Sequence, residues 1–201
     1  MPQLEFHFDF GSPNAYLAHC AIPQIENRTG AHFEYIPVLL GGVFKATNNA
    51  SPMVAFEGIL NKPDYAQVET RRFLRHFELK AYQPNPHFPV NTLTIMRGAV
   101  YAQQAGFLPE YVDAIYHHMW QGAKKLDDPD VLRACLDESA LPTEAILSAT
   151  SDPAVKAQLV AYTKASVDKG TFGSPTFYLD GEIFFGKECL REIEYELTRK
   201  T

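Results

Sequence analysis

Ser12 and Pro13 stand where an alternating apolar stretch gives way to a helical one, in FDFGSPNAYL. A serine there has two uses. Its hydroxyl can cap the helix by accepting the N–H of Asn14 or Ala15, with Pro13 at the first helical position, where a missing N–H costs nothing. The same hydroxyl sits beside the unpaired N–H groups of a helix start, which favour negative charge. A second Ser-Pro pair, Ser174-Pro175 in GSPT, opens a later strand, a position proline tolerates. Lys45 and Asn49 lie in GGVFKATNNASP, whose Gly, Asn and Ser content reads as a loop long enough to wrap a ligand. A lysine there can meet a carboxylate, and an asparagine a carboxylate or a peptide group. The plainer reading is a solvated lysine and a turn asparagine. Asn91 in FPVNTL can shape a substrate pocket or cap a helix. Phe88 and Trp120 can wall a flat substrate, and Trp120 can equally be core. His7 and Asp9 share a strand face, which suggests acid–base chemistry. A central strand buries both faces, however, so a satisfied core histidine is the expectation. The adjacent His117 and His118 cannot form the i,i+4 pair of a helical metal site.

The elements around these residues are legible at both ends of the chain. In LEFHFDF, Leu4, Phe6, Phe8 and Phe10 alternate with Glu5, His7 and Asp9, the period of a strand. The following helix is predicted to run to about Arg28 and stop before Gly30, with a kink at Pro23. FEYIPVLL is predicted as the second strand, closing a right-handed βαβ unit. Near the C-terminus, PTFYLDGEIFF is two short strands about Asp180-Gly181, a tight-hairpin signal. KECLREIEYELTRK is a last helix with Leu190, Ile193 and Leu197 as its apolar stripe. Glu188 in its first turn and Arg199 and Lys200 at its end suit the helix dipole. The segments VETRRFLRHFEL, LTIMRGAVYAQQAG, PEYVDAIYHHMWQGAK, DPDVLRACLDES and PAVKAQLVAYTKASVDK between these ends all read as helices. The strands at the two ends must therefore pair into one sheet, with a helical block inserted between them.

Composition narrows the function classes. The 201 residues include 14 Phe and 10 Tyr, enough for a substantial core, and the net charge of -6 leaves no basic cluster for nucleic acid. Three dispersed cysteines, Cys20, Cys135 and Cys189, form neither a disulfide framework nor a zinc motif. MPQLEFHFDF has neither the basic start nor the apolar run of a signal peptide. No apolar run is long enough for a membrane span. A cytoplasmic protein without nucleic-acid or membrane partners is expected.

The order of these motifs resembles a known family. A βαβ unit, a helical insertion and a proline-led ββα unit make an α/β, thioredoxin-like sheet with a large all-helical insertion, the DsbA-like arrangement. Thioredoxins carry C-x-x-C where this chain reads S-P-N-A, Ser12 to Ala15. Serine at that point is the pattern of the 2-hydroxychromene-2-carboxylate isomerases and the kappa-class glutathione transferases. FDFGSPNAYLA, PVLLGGVFKATNNASP, FPVNTLTIMRG, the Trp120-x-Gly122 helix end and GSPTFYLDGEIFFGKECL resemble that branch in order. The resemblance implies a thioredoxin-like domain at 1–40 and 166–201, and a connecting loop and helical insertion at 41–165. It implies glutathione as cofactor, with Ser12 catalytic and stabilising the glutathione thiolate. Lys45, Asn49, Ser174, Pro175 in the cis form and Glu188 would bind glutathione. Asn91, Trp120 and Phe88 would face a small aromatic electrophile. The implied activity is a glutathione-dependent cis–trans isomerisation of 2-hydroxychromene-2-carboxylate or a related aromatic pyruvate. A kappa-like transferase or peroxidase is the alternative. Relatives are often dimers, so a homodimer is expected. One position departs from the pattern: the family has Asp-Arg where this chain has Glu188-Cys189.

Overall fold

A computed structural model describes residues 2–199 of the chain. The N-terminal unit is β1 (Leu4–Phe8), α1 (Pro13–Thr29) and β2 (Glu34–Pro37). Three helices follow: α2 (Leu40–Thr47), α3 (Pro52–Ala55) and α4 (Lys62–His76). The helical block continues with α5 (Leu93–Ala105), α6 (Leu108–Trp120), α7 (Pro129–Glu138), α8 (Thr143–Ala149) and α9 (Pro153–Asp168). The chain returns through β3 (Thr176–Leu179) and β4 (Glu182–Phe185), a 3₁₀ turn at Lys187–Cys189, and α10 (Leu190–Arg199). Lys200 lies outside the described residues.

The two ends form one sheet in the order β2-β1-β3-β4. β1 is parallel to β2 and antiparallel to β3, and β3 is antiparallel to β4. The hairpin turn has positive φ at both Asp180 and Gly181 (52° and 89°), the geometry that matches strand twist in a two-residue loop. β1 is central, and all five of its residues are buried. Its phenylalanines, and Phe10 just beyond it, meet an aromatic cluster. Phe6 stacks on Phe177 at 5.1 Å, and Phe10 meets Tyr116 of α6 edge-on at 4.9 Å.

The opposite face of β1 is polar and is covered by α9. His7 Nδ1 lies 2.7 Å from Ser166 Oγ and Nε2 lies 2.8 Å from Glu5, while Lys169 donates to both Glu5 oxygens. His7 is thus the satisfied core histidine expected from its strand position. Burial holds His7 below its ordinary range. Burial alone would raise Glu5, but the Lys169 and His7 hydrogen bonds leave it lowered. Both groups have folded-state values below their unfolded ones. Their contribution is therefore present above the unfolded values and is lost as pH falls through the folded ones. Thermal stability is expected to drop from about pH 6.5 downward, and the drop should flatten in His7→Gln. Parallel melting curves of the two proteins between pH 7 and 4 would refute this assignment.

The second strand is shorter than its sequence pattern predicts, and the expected loop at 41–52 begins as a helix. Val38 still donates to Phe8 O at 3.0 Å. The next two N–H groups leave the ladder: Leu39 donates to Thr163 Oγ1 and Leu40 to the Asp9 carboxylate. Those side chains start α2 instead. It closes at Asn48, which is left-handed at φ 54°. α1 runs unbroken through Pro23 to Thr29 and ends at left-handed Gly30.

Candidate functional site

The cap and the proline loop meet at Ser12. Ser12 Oγ accepts the Ala15 N–H at 3.1 Å and donates its own proton to Ser174 O at 2.8 Å. The hydroxyl is therefore a helix cap and also a bridge to the strand that faces it. The Ser174-Pro175 peptide is cis, as the resemblance implies. Two donors at this junction have no protein acceptor among the described residues: the N–H of Asn14 in the first turn of α1, and the N–H of Ser174. A hydroxyl that can rotate, an open helix-start N–H and an open strand N–H converge on one small region. Such donors stabilise an anion or an extended peptide backbone.

Two further segments are tied to the same region. Asn49 Nδ2 donates to Phe172 O at 2.8 Å, two residues before Ser174. Gly186 N donates to Pro175 O at 3.0 Å, which brings the Glu188 turn to the proline loop. Gly173 lets the Phe185 ring lie close, since a Cβ there would come within 2.7 Å of it and displace the ring. Lys45 is exposed on α2, with no ion pair among the described residues. Glu188 is exposed but already paired with its neighbour Lys187, whose side chain is 5% exposed. Cys189 donates to Gly186 O, and burial pushes its thiol well up, so it is not a nucleophile at neutral pH.

The expected substrate-side residues divide. Trp120 is buried, its indole N–H donates to Phe10 O at 2.8 Å, and its ring packs with Tyr16, Tyr82 and Phe88. It is a core residue beneath the Ser12 turn rather than an open wall. Phe88 is half-buried against it and precedes a second cis proline, Pro89. Asn91 is exposed and accepts the Leu93 N–H at 3.0 Å at the start of α5.

The residue that sequence reasoning undervalued is Asp9. It is 1% exposed, and its carboxylate accepts Gly11 N–H, Leu40 N–H and the Thr92 hydroxyl at 2.8, 2.7 and 3.1 Å. Its backbone N–H also donates to Ser174 Oγ. The signal in the sequence was an acidic residue three positions before Ser12, sharing a face with His7 and Glu5.

Two open cavities lie elsewhere on the surface. The larger, 370 Å³, lies between β4 and α10 and contains no residue of the Ser12 junction. The smaller, 160 Å³, is lined by Tyr65, Glu69, Arg72, Phe73, Glu188 and Arg191, and so adjoins the Glu188 turn. The convergence of open donors marks the Ser12 junction as the candidate site, and the smaller cavity shares with the segments tied to it only Glu188. No described helix is long and apolar enough to cross a membrane, and no metal-binding cluster occurs among the described residues.

A DSBA-like thioredoxin domain model matches residues 3–198, nearly the whole chain. The chain belongs to the DSBA-like thioredoxin domain family. Within that family it is 26% identical over 191 residues to a 2-hydroxychromene-2-carboxylate isomerase of Sphingobium xenophagum, covering 95% of each chain. A solved 2-hydroxychromene-2-carboxylate isomerase superposes with a TM-score of 0.81 at 23% identity, over 98% of this chain and 94% of that one. A probable DsbA oxidoreductase from Streptomyces coelicolor gives 0.69 at 16% identity, over 99% and 89%. The fold is thus DsbA-like, and the resemblance read from the sequence is to the isomerase-type members of the family. In this chain Ser12 stands at the start of α1, with no cysteine between Ser12 and Ala15.

Proposed function

We propose that the protein is a glutathione-dependent cis–trans isomerase acting on 2-hydroxychromene-2-carboxylate or a related aromatic pyruvate. The observation that carries this reading is the Ser12 hydroxyl, held between a helix start and the cis-proline strand in a chain similar to proteins named for that reaction. The donor set fits a thiol tripeptide: Ser174 offers a free N–H for a peptide carbonyl, and Ser12 with Asn14 offers donors for a thiolate. Bound glutathione would supply a thiolate that adds reversibly to a conjugated carbon of the substrate, so that the former double bond can rotate before the thiolate leaves.

The chain's own residues have separable tasks. Ser12 must release Ser174 O to turn its proton toward sulfur. The freed carbonyl then becomes an acceptor for a ligand N–H, so the exchange leaves no buried group unpaired. Asn49 holds the 172–175 loop in place, and exposed Lys45 meets a carboxylate of glutathione or substrate. Glu188 binds an ammonium group only by sharing it with Lys187, which weakens that end of the ligand. Asn91 and Phe88 border the aromatic side.

The test follows the ultraviolet spectrum of trans-o-hydroxybenzylidenepyruvate with and without glutathione. Interconversion that needs catalytic glutathione is expected. Stoichiometric loss of glutathione into a conjugate would instead indicate a transferase, and conversion independent of thiol would defeat the proposed cofactor. Asn49→Ala is expected to weaken glutathione binding several-fold while barely moving the melting temperature, because the residue is exposed and contacts backbone only. Unchanged affinity in calorimetry would remove Asn49 from the site.

A further inference from the structure

Asp9 is a buried carboxylate with no cation beside it among the described residues. Its three donors come from three different segments: the Gly11 turn before Ser12, the first residue of α2, and Thr92 at the entry to α5. α2 has no side-chain cap of its own, whereas at α5 Asn91 accepts the first N–H and the cap residue Thr92 gives its hydroxyl to Asp9. Asp9 takes that place for α2, whose first N–H offsets its charge, and it meets the entry to α5 through the Thr92 hydroxyl. The backbone of Asp9 continues the tie, since Ser12 N–H donates to Asp9 O at 3.1 Å and Asp9 N–H donates to Ser174 Oγ at 3.2 Å. One residue thus fixes the helix start that holds Ser12, the helix that carries Lys45 toward Asn49, and the proline loop.

The titratable group that feels the Asp9 charge is Tyr116 of α6, whose buried hydroxyl has no hydrogen-bond partner among the described residues. The groups from the turn, α2, α5 and the proline loop are uncharged donors. Burial pushes the Asp9 carboxyl up, and the three donors oppose that shift. In its ionised form, a carboxylate that accepts the Gly11 N–H at 2.8 Å, one residue before Ser12, disfavours a second anion at the α1 start.

Resting on the thiol-cofactor reading above, we propose that Asp9 is a positioning residue that aligns Ser12 with α2 and the proline loop. We further infer that its buried charge keeps the bound thiol a mixture of thiol and thiolate at neutral pH. The chemistry needs that balance. A reversible addition uses sulfur first as nucleophile and then as leaving group. Nucleophilicity falls as the thiol becomes more acidic, while departure becomes faster. Ser12 and the helix start draw the thiol toward thiolate, and Asp9 limits how far.

The test compares wild type with Asp9→Asn by two measurements. S-methylglutathione, which has no ionisable thiol, is titrated by calorimetry. The thiolate of bound glutathione is titrated by its ultraviolet absorbance. Asp9→Asn is expected to bind S-methylglutathione several-fold more weakly. The pKa of bound glutathione should fall by about one unit, because a like charge has been removed. Simple damage to the site would instead raise it toward the free value, as Ser12→Ala should. A rise, or no change, overturns the proposal. Should Asp9→Asn not fold, Thr92→Val carries the test, since both backbone donors stay on the carboxylate. Removing that hydroxyl lets burial push the Asp9 carboxyl further toward its neutral form, so it should weaken S-methylglutathione and lower the bound thiol pKa, in the same direction as Asp9→Asn. Unchanged values for both also overturn the proposal. Failure of wild type to bind either ligand would count against the thiol cofactor itself and is distinct from both results.

Discussion

Ser12→Ala is expected to lower the proposed isomerase rate roughly a hundred- to a thousandfold, the usual effect of removing one donor aimed at developing charge. Glutathione affinity should change far less, because Ser174, Asn49 and Lys45 remain. The effect on stability is separable. Loss of the cap costs about 1 kcal/mol, and Ser174 O loses its donor. Ser12→Gly is the useful control, since glycine at a cap costs only a few tenths of a kcal/mol. Both variants should lose the rate together while differing in melting temperature. The pKa of bound glutathione should rise in both. Should either variant keep the wild-type rate, Ser12 would be a cap and nothing more.

The ends of the chain were readable because their signals are local. Alternation in LEFHFDF, the Ser12-Pro13 entry, the Asp180-Gly181 turn and the Leu190, Ile193, Leu197 stripe each specify structure within a few residues, and each is observed. α2 was not readable, because what makes it helical is distant in sequence. Gly41 and Gly42 lower its intrinsic propensity. Its start is held by Asp9 from β1, its Leu39 by Thr163 from α9, and Val43 is buried. Short α8, Thr143–Ala149, escaped for lack of enough turns to show a period.

The candidate site divides in the same way. Ser12 as a cap follows from local rules, whereas its partner Ser174 lies 162 residues away. Only the resemblance linked them in advance. The role of Asp9 could not be read at all, since its meaning depends on Leu40 and Thr92 arriving at one carboxylate. Glu188 shows the converse. Its identity suggested an anchor, but the neighbour that now competes for it, Lys187, was in plain view in the sequence and became informative only through its burial.

Trp120→Ala is expected to be the most destabilising of these substitutions. The side chain is 2% exposed and packs with Tyr16, Tyr82 and Phe88, and truncating a buried aromatic to alanine costs about 3–5 kcal/mol. The indole N–H also serves Phe10 O, and leaving a buried carbonyl unpaired adds about 1–3 kcal/mol where water cannot reach it. Trp120→Phe is the intermediate case: it keeps an aromatic ring in place, loses the hydrogen bond and leaves a smaller cavity than alanine does. Denaturant unfolding should therefore rank wild type above Trp120→Phe and Trp120→Ala lowest. The same series decides whether this residue is core or pocket. In the core reading, Trp120→Phe loses stability and keeps its affinity for the aromatic substrate. A variant as stable as wild type that no longer binds substrate would return Trp120 to the pocket wall. Activity still should not be wholly indifferent to the change. Phe10 is two residues from Ser12, so freeing its carbonyl loosens the turn that sets the hydroxyl against Ser174 O. A modest loss of rate in Trp120→Phe, with affinity unchanged, is the signature of a residue that supports the site from beneath.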